Sequence, residues 1–394
     1  MRRELEHVEI PGEHEARERA WRVVSTAFAE REPLPAAARR RLVPALALVA
    51  VAAVAAATVT SPGRALLHGI RETVGVEKAQ PALFSLPSPG RLLVVSAEHG
   101  GAWVVHPDGS KRRLGDYEDA AWSPRGRFVV ATTRNELLAL EPGGDIRWTL
   151  ARRDVSWPRW APSGYRIAYF ARSGLRIIAG DGTGDRLLDP HALGVPPAWQ
   201  PRGLHELAYV SGGAVVLEAV DENRVLWRAP LGRDLPYQLT WSADGKRLLA
   251  AAPQALRVFD DRGRLLRRIP FRGSTSALAA AWARNGHVFA VHLRYDPLGA
   301  LEETDRRSEV RLIDADRPGS SRQLFAGSGV FGELAWSPDG RWLLVDWRTA
   351  NQWLFIRRSG PPKVVAVANI SQQIPRPDGK PPELLVLDRW CCAS

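Results

Sequence analysis

From Leu86 onward, short apolar runs alternate with clusters of turn-forming residues, and the alternation returns on a regular beat. The clearest unit is Trp336-Ser337-Pro338-Asp339-Gly340, followed by Trp342-Leu343-Leu344-Val345. This pattern predicts a strand end, a tight turn and the start of a second strand. Pro338 presets φ for a β-turn, Asp339 caps the turn with its side chain, and Gly340 accepts positive φ without steric cost. Trp336 supplies a large buried anchor.

Worn copies of the unit occur at Trp122-Ser123-Pro124-Arg125-Gly126, Trp160-Ala161-Pro162-Ser163-Gly164, Trp199-Gln200-Pro201-Arg202-Gly203, Trp241-Ser242-Ala243-Asp244-Gly245 and Trp282-Ala283-Arg284-Asn285-Gly286. Successive tryptophans are 38, 39, 42, 41 and 54 residues apart. That period marks propeller blades, not helical solenoids. A seventh, degenerate unit stands at Leu86-Pro87-Ser88-Pro89-Gly90, with leucine in the anchor's place. Each repeat divides into four strands, as at 119–122, 127–132, 136–140 and 146–150, with alternating apolar residues suited to sheets packed face to face. The expected fold is therefore an all-β propeller of four-stranded blades: seven, with six or eight left open. Pro375-Arg376-Pro377-Asp378-Gly379 and the strand-like 383–387 that follows are expected to complete the blade begun near 82–85 and so close the ring.

The repeat resembles the tryptophan-serine-proline-aspartate-glycine repeat of the TolB-type β-propeller family, over roughly residues 86 to 394. The resemblance implies the architecture and a bacterial, membrane-anchored protein. It implies little about activity, because propellers carry binding, scaffolding and enzymatic functions alike.

Ahead of the propeller (82–394), residues 42–61 contain no charged side chain. At about 1.5 Å per residue that length spans a bilayer core of roughly 30 Å. Arg39-Arg40-Arg41 at its start keeps the N-terminus in the cytoplasm and sends the propeller out. A cleaved signal peptide competes, with Ala55-Ala56-Ala57 as the cleavage site. Residues 1–41 hold nine Arg against eight Glu and one amphipathic helix, with Ala20, Trp21, Val24, Ala27 and Phe28 on one face. Residues 62–81 read as a connector helix.

A formal net charge of +11 suits an anionic partner, such as lipid headgroups or wall polymer. With the propeller outside the cytoplasm, no nucleic acid is expected. Six of the 15 tryptophans are repeat anchors, so the excess is architectural. The adjacent Cys391 and Cys392 close only a strained ring, so a disulfide framework is not expected and a loose, reactive or intermolecular pair is the alternative. Histidines never fall at zinc-binding spacing, and His287 and His292 point to opposite faces of a strand. Ala326-Gly327-Ser328-Gly329 lacks the one-residue gaps of a nucleophile elbow. Asp181-Gly182-Thr183-Gly184-Asp185 reads as a blade turn. No catalytic residue, cofactor or metal is expected.

One repeat differs in length. Between Trp282 and Trp336 about a dozen extra residues fall at 295–308, between the second and third strands. Tyr295, Asp296, Glu302, Glu303, Asp305, Arg306 and Arg307 are the candidate contact residues, since insertions map to loops and loops carry function. The expectation is a non-catalytic binding or scaffolding module in the cell envelope. The alternatives are a signalling regulator of the anti-sigma type, whose N-terminal helix holds a cytoplasmic protein, and a lactonase-like enzyme, which would need a ring of inward acids or a metal.

Overall fold

The computed structural model describes residues 85–96, 101–298, 301–361, 363–374 and 385–392. The expected spanning segment, both N-terminal helices and the Pro375–Gly379 motif lie outside them. Among the described residues no helix is long and apolar enough to cross a membrane.

Seven four-stranded antiparallel sheets form seven propeller blades. Blades 2 to 5 span 119–151, 156–189, 198–230 and 238–270; blades 6 and 7 span 275–328 and 331–368. Blade 1 joins both ends of the chain: the strand Leu385–Cys391 pairs antiparallel with Arg91–Ser96, ahead of Ala102–Val105 and Lys111–Gly115. The innermost strand of blade 1 thus comes from the C-terminus. Leu86 lies outside any strand, yet its side chain is buried and its amide bonds the Pro107 carbonyl at 2.8 Å. Trp390, fully buried, takes the anchor's place.

Second and third strands are continuous apolar runs, where alternation is the sequence expectation. Trp342, Leu344 and Phe355 pack toward blade 1, while Leu343, Val345, Leu354 and Ile356 pack toward blade 6. A blade buried on both faces has no polar side to alternate to. Outer strands, solvated on one side, do alternate, as in Ile146–Ala151. Seven apolar clusters result, one in each gap between neighbouring blades.

The anchors sit in these gaps. Nε1 of Trp199, Trp241, Trp282 and Trp336 donates to the carbonyls of Arg159, Ala198, Thr240 and Ala281, at 2.8–3.2 Å. Each acceptor immediately precedes the anchor of the blade before, so these four anchors bond each blade from 4 to 7 to the one before it.

The turn glycines differ in one place. Gly126, Gly164, Gly245, Gly286 and Gly340 have φ between 65° and 82°, whereas Gly203 is not at positive φ. The blade 4 turn holds one more residue, Trp199 pairing Leu207, and His205 takes the left-handed conformation at φ 56°. The two cysteines stand at the end of the closing strand. Cys391 and Cys392 lie with their sulfurs side by side, and Cys391 is buried between blades 1 and 2.

Candidate functional site

Strand direction gives the propeller two faces. The anchor turns and the turns between third and fourth strands share one, the turn face. The blade-to-blade connections and the blade 6 insertion share the other, the loop face.

On the turn face two side-chain arrays tie neighbouring blades. Ser163 Oγ lies 2.7 Å from His205 Nε2, and His205 Nδ1 lies 2.5 Å from Asp221 Oδ2. Arg166 Nε donates to the other oxygen of Asp221 at 2.8 Å. The order serine, histidine, aspartate is that of a nucleophilic triad. The second array shows what such an array does here. In blades 5 and 6 Asp244 replaces the serine, 3.0 Å from His287 Nε2, while His287 Nδ1 bonds Asp316 and Arg247 Nε donates to Asp316 at 2.9 Å. With a carboxylate in the serine's position the tie between blades is unchanged. At Ser163 the nearby amides are also spent: Gly164 N bonds the Ala161 carbonyl and Tyr165 N bonds Ser163 Oγ, leaving them unable to stabilise an oxyanion. Both arrays are latches. The sequence reading missed them because their members are distant in the chain.

Along the axis runs a cavity of about 570 Å³, lined by the innermost strands. Toward the loop face it meets Asp119, Tyr237 and Glu333; toward the turn face it meets Arg159, Arg284 and Arg389. Burial pushes the Glu333 carboxyl up to about 7, against the pull of Arg159. A register shift in Phe331–Trp336 sets both Gly332 and Glu333 opposite Asp346, so Glu333 enters the cavity with Asp346 behind it. A Cβ on Gly332 would lie 2.6 Å from Asp346 Oδ2, so a side chain there would push the Asp346 carboxyl aside. Burial, reinforced by Glu333, also raises Asp346 to about 7, although Arg348 opposes it. The Tyr237 hydroxyl is buried without a hydrogen-bond partner, and burial raises its pKa. Two acids against three arginines do not make the acidic ring that the lactonase-like reading needs, and no metal-binding group of three acids, histidines or cysteines occurs among the described residues.

His292 is fully buried between blades 6 and 7, 3.1 Å from Ser308 Oγ, where burial and Arg294 lower its pKa to about 3. It stays neutral and structural. His287, by contrast, lies in the turn-face latch.

The blade 6 insertion is shorter as a loop than the sequence suggests, because Tyr295 and Arg307 extend the two strands and pair with each other. Its charges are largely taken up within it. Asp296 pairs with Arg294 at 2.9 Å and with Arg306 at 3.2 Å. Glu302 and Asp305 cap the 3₁₀ turn Glu303–Asp305. Beside the exposed Glu302, Glu303, Asp305 and Arg307, the loop presents apolar residues to solvent: Leu298 and Leu301 are 105% and 91% exposed, and Tyr295 48%. The two leucines are not among the sequence candidates.

The fold and the axial cavity define a seven-bladed β-propeller. No family model matches the chain, and no protein of curated function matches its sequence. Among solved structures, a functionally unknown protein from Desulfotomaculum acetoxidans DSM 771 is similar with a TM-score of 0.52 at 13% identity, over 71% of this chain and 99% of that one. Hydrazine synthase from Kuenenia stuttgartiensis gives a TM-score of 0.49 at 13% identity, over 60% of this chain and 75% of that one. The Cps50 (Swd1) β-propeller domain from Myceliophteria thermophila gives 0.47 at 12% identity, over 62% and 83%. At such identities the likeness concerns the fold alone.

Proposed function

We propose that the chain is a membrane-anchored, extracytoplasmic binding or scaffolding module of the TolB-like kind, non-catalytic, whose loop face meets a protein or cell-envelope ligand. One observation carries this reading: the insertion that sets blade 6 apart is pinned by its own ion pairs and capped turn, yet holds Leu298 and Leu301 fully in solvent. A loop held in shape by its own ion pairs, with exposed leucines set among exposed charged residues, is suited to contact with a partner. The uncharged 42–61 stretch after Arg39-Arg40-Arg41 supports the anchor and its orientation.

The test has two parts. Reporter fusions before residue 42 and after residue 61 should give cytoplasmic and external signals respectively; the same compartment for both overturns the anchoring. Immobilised full-length chain should retain a component of envelope extract that a Leu298→Ser, Leu301→Ser variant releases. Equal retention by both forms, or none by either, overturns the loop-face reading.

A further inference from the structure

The repeats differ from one another at two cavity-lining positions. Directly before the anchor stand Ala121, Ala198, Thr240, Ala281 and Ala335, but Arg159 in blade 3 and Arg389 in blade 1. Two residues after the anchor stand Pro124, Pro162, Pro201, Ala243, Pro338 and, in blade 1, Cys392, but Arg284 in blade 6. All three arginines line the one axial cavity. A ring packed to a repeating plan has no structural need for a guanidinium where its other blades place alanine or proline.

The three differ in their partners. Arg159 reaches Asp119 at 4.0 Å. Arg284 crosses the blade 7 turn, where a Cβ on Gly340 would lie 3.1 Å from its own Cβ, and donates from Nη2 to the Trp390 carbonyl at 3.3 Å. That contact sets it beside Arg389. Neither Arg284 nor Arg389 has a carboxylate within ion-pair distance among the described residues. Burial and the neighbouring Arg389 charge lower the pKa of Arg284. The acids of the lining, Asp119 and Glu333, stand at the third position before their anchors, about 7 Å further down the strands than the position of Arg389. The cavity is therefore polarised along its axis, with an uncompensated pair of guanidinium groups at the turn-face mouth.

We propose that Arg284 and Arg389 form an anion site at the turn-face mouth of the axial cavity, taking the carboxylate or phosphate group of a small ligand whose body enters the cavity. Guanidinium groups match planar or tetrahedral oxyanions through paired N–H donors, and they hold them best where water is partly excluded. A cavity of about 570 Å³ accepts a ligand of metabolite size, and Trp160, Trp199, Trp241, Trp282 and Trp336 give it an aromatic wall. This site stands on the face opposite the blade 6 loop and does not depend on the loop-face reading.

Tryptophan fluorescence of the full-length chain reads the site directly. Inorganic phosphate, succinate and sodium chloride are titrated at constant ionic strength. Saturation by phosphate, by succinate or by both supports the site and identifies its preferred head group; no saturation by either, or the same response to chloride, overturns it. Arg284→Gln and Arg389→Gln should each weaken binding at least tenfold with unchanged melting temperature, while Arg317→Gln, on the exposed turn of blade 6, should bind as wild type. Equal affinity in all four proteins overturns the assignment. Should either glutamine variant melt early, Arg284→Lys and Arg389→Lys keep the charge without the paired donors, and affinity between wild type and glutamine is then required.

Discussion

Two sets of acidic residues titrate in opposite senses. Asp346 and Glu333 have folded pKa values raised to about 7, so between about pH 4 and 7 the folded chain holds protons that the unfolded chain has released. Their effect is to lower stability as pH rises across that window. Asp244 behaves in reverse. Burial works against its charge, but hydrogen bonds from Ser242, the Lys246 amide and His287 pull its carboxyl down to about 2. Asp221 and Asp316 are lowered in the same manner, against burial, by their histidine and arginine partners. That stability is present above about pH 4 and is lost as pH falls toward 2. The melting temperature should therefore peak at about pH 4. Asp346→Asn should flatten the alkaline side and raise the melting temperature at pH 8 by a few degrees, at about 2–4 °C per kcal/mol. Asp244→Asn should instead weaken the acid side of the latch and lower the melting temperature at pH 6. Thermal melts from pH 3 to 9 check both; a pH-independent curve contradicts them.

At the scale of the element, the turn after each anchor separates conformational from packing costs. Gly286 and Gly340 both have positive φ, 72° and 68°. A Cβ on Gly286 meets nothing within 4 Å, whereas one on Gly340 meets Arg284 Cβ at 3.1 Å. Gly286→Ala should cost about 1–2 kcal/mol, the price of left-handed backbone alone. Gly340→Ala should cost more and should also disturb the Arg284 site. The anchor itself contributes more again: Trp336 is buried between blades 6 and 7 and bonded to Ala281, so Trp336→Ala should destabilise by about 3–5 kcal/mol. Urea unfolding of the three variants orders these effects, and Gly286→Ala as the worst would contradict the ordering. The turn chemistry itself was legible in the residues: Asp339 Oδ1 accepts from Ser337 Oγ at 2.5 Å and from the Arg341 amide at 3.0 Å. The serine was less so. Ser123, Ser242 and Ser337 each accept the amide that opens the next strand, at 2.9–3.0 Å, a role that only the closed turn creates.

For the whole molecule, closure rests on one strand. Leu385–Cys391 supplies the innermost strand of blade 1, and Trp390 packs with Leu92, Trp103, Phe355 and Ile374 across the gap to blade 7. Without it the ring has two unpaired edges and an open apolar face. Trp390→Ala should cost about 3–5 kcal/mol. Truncation before residue 385 should cost more than that, with loss of the single cooperative melt and gain of dye binding to exposed apolar surface. A truncated chain that melts at the wild-type temperature would show that closure resides elsewhere.

The sequence by itself determined the repeat and the place of the long insertion, and put the blade number at seven with six or eight left open. Those follow from local chemistry: a bulky anchor, a residue able to take positive φ, and a fixed strand length between them. It also pointed to closure from the C-terminus, because a degenerate unit lies at each end of the array. Only the tertiary structure decided where individual side chains meet. The glycine rule fails at Gly203 because one added residue moves the left-handed position to His205. The latches join residues as far apart as Asp244 and Asp316, and the insertion pairs Asp296 with Arg294 and Arg306 while its leucines stand outward. Arg159, Arg284 and Arg389, one each in blades 3, 6 and 1, converge on one cavity because ring closure carries the last strand of the chain to the first blade. Chain-local chemistry fixes a turn or a strand, while a site on the axis exists only once all seven blades surround it.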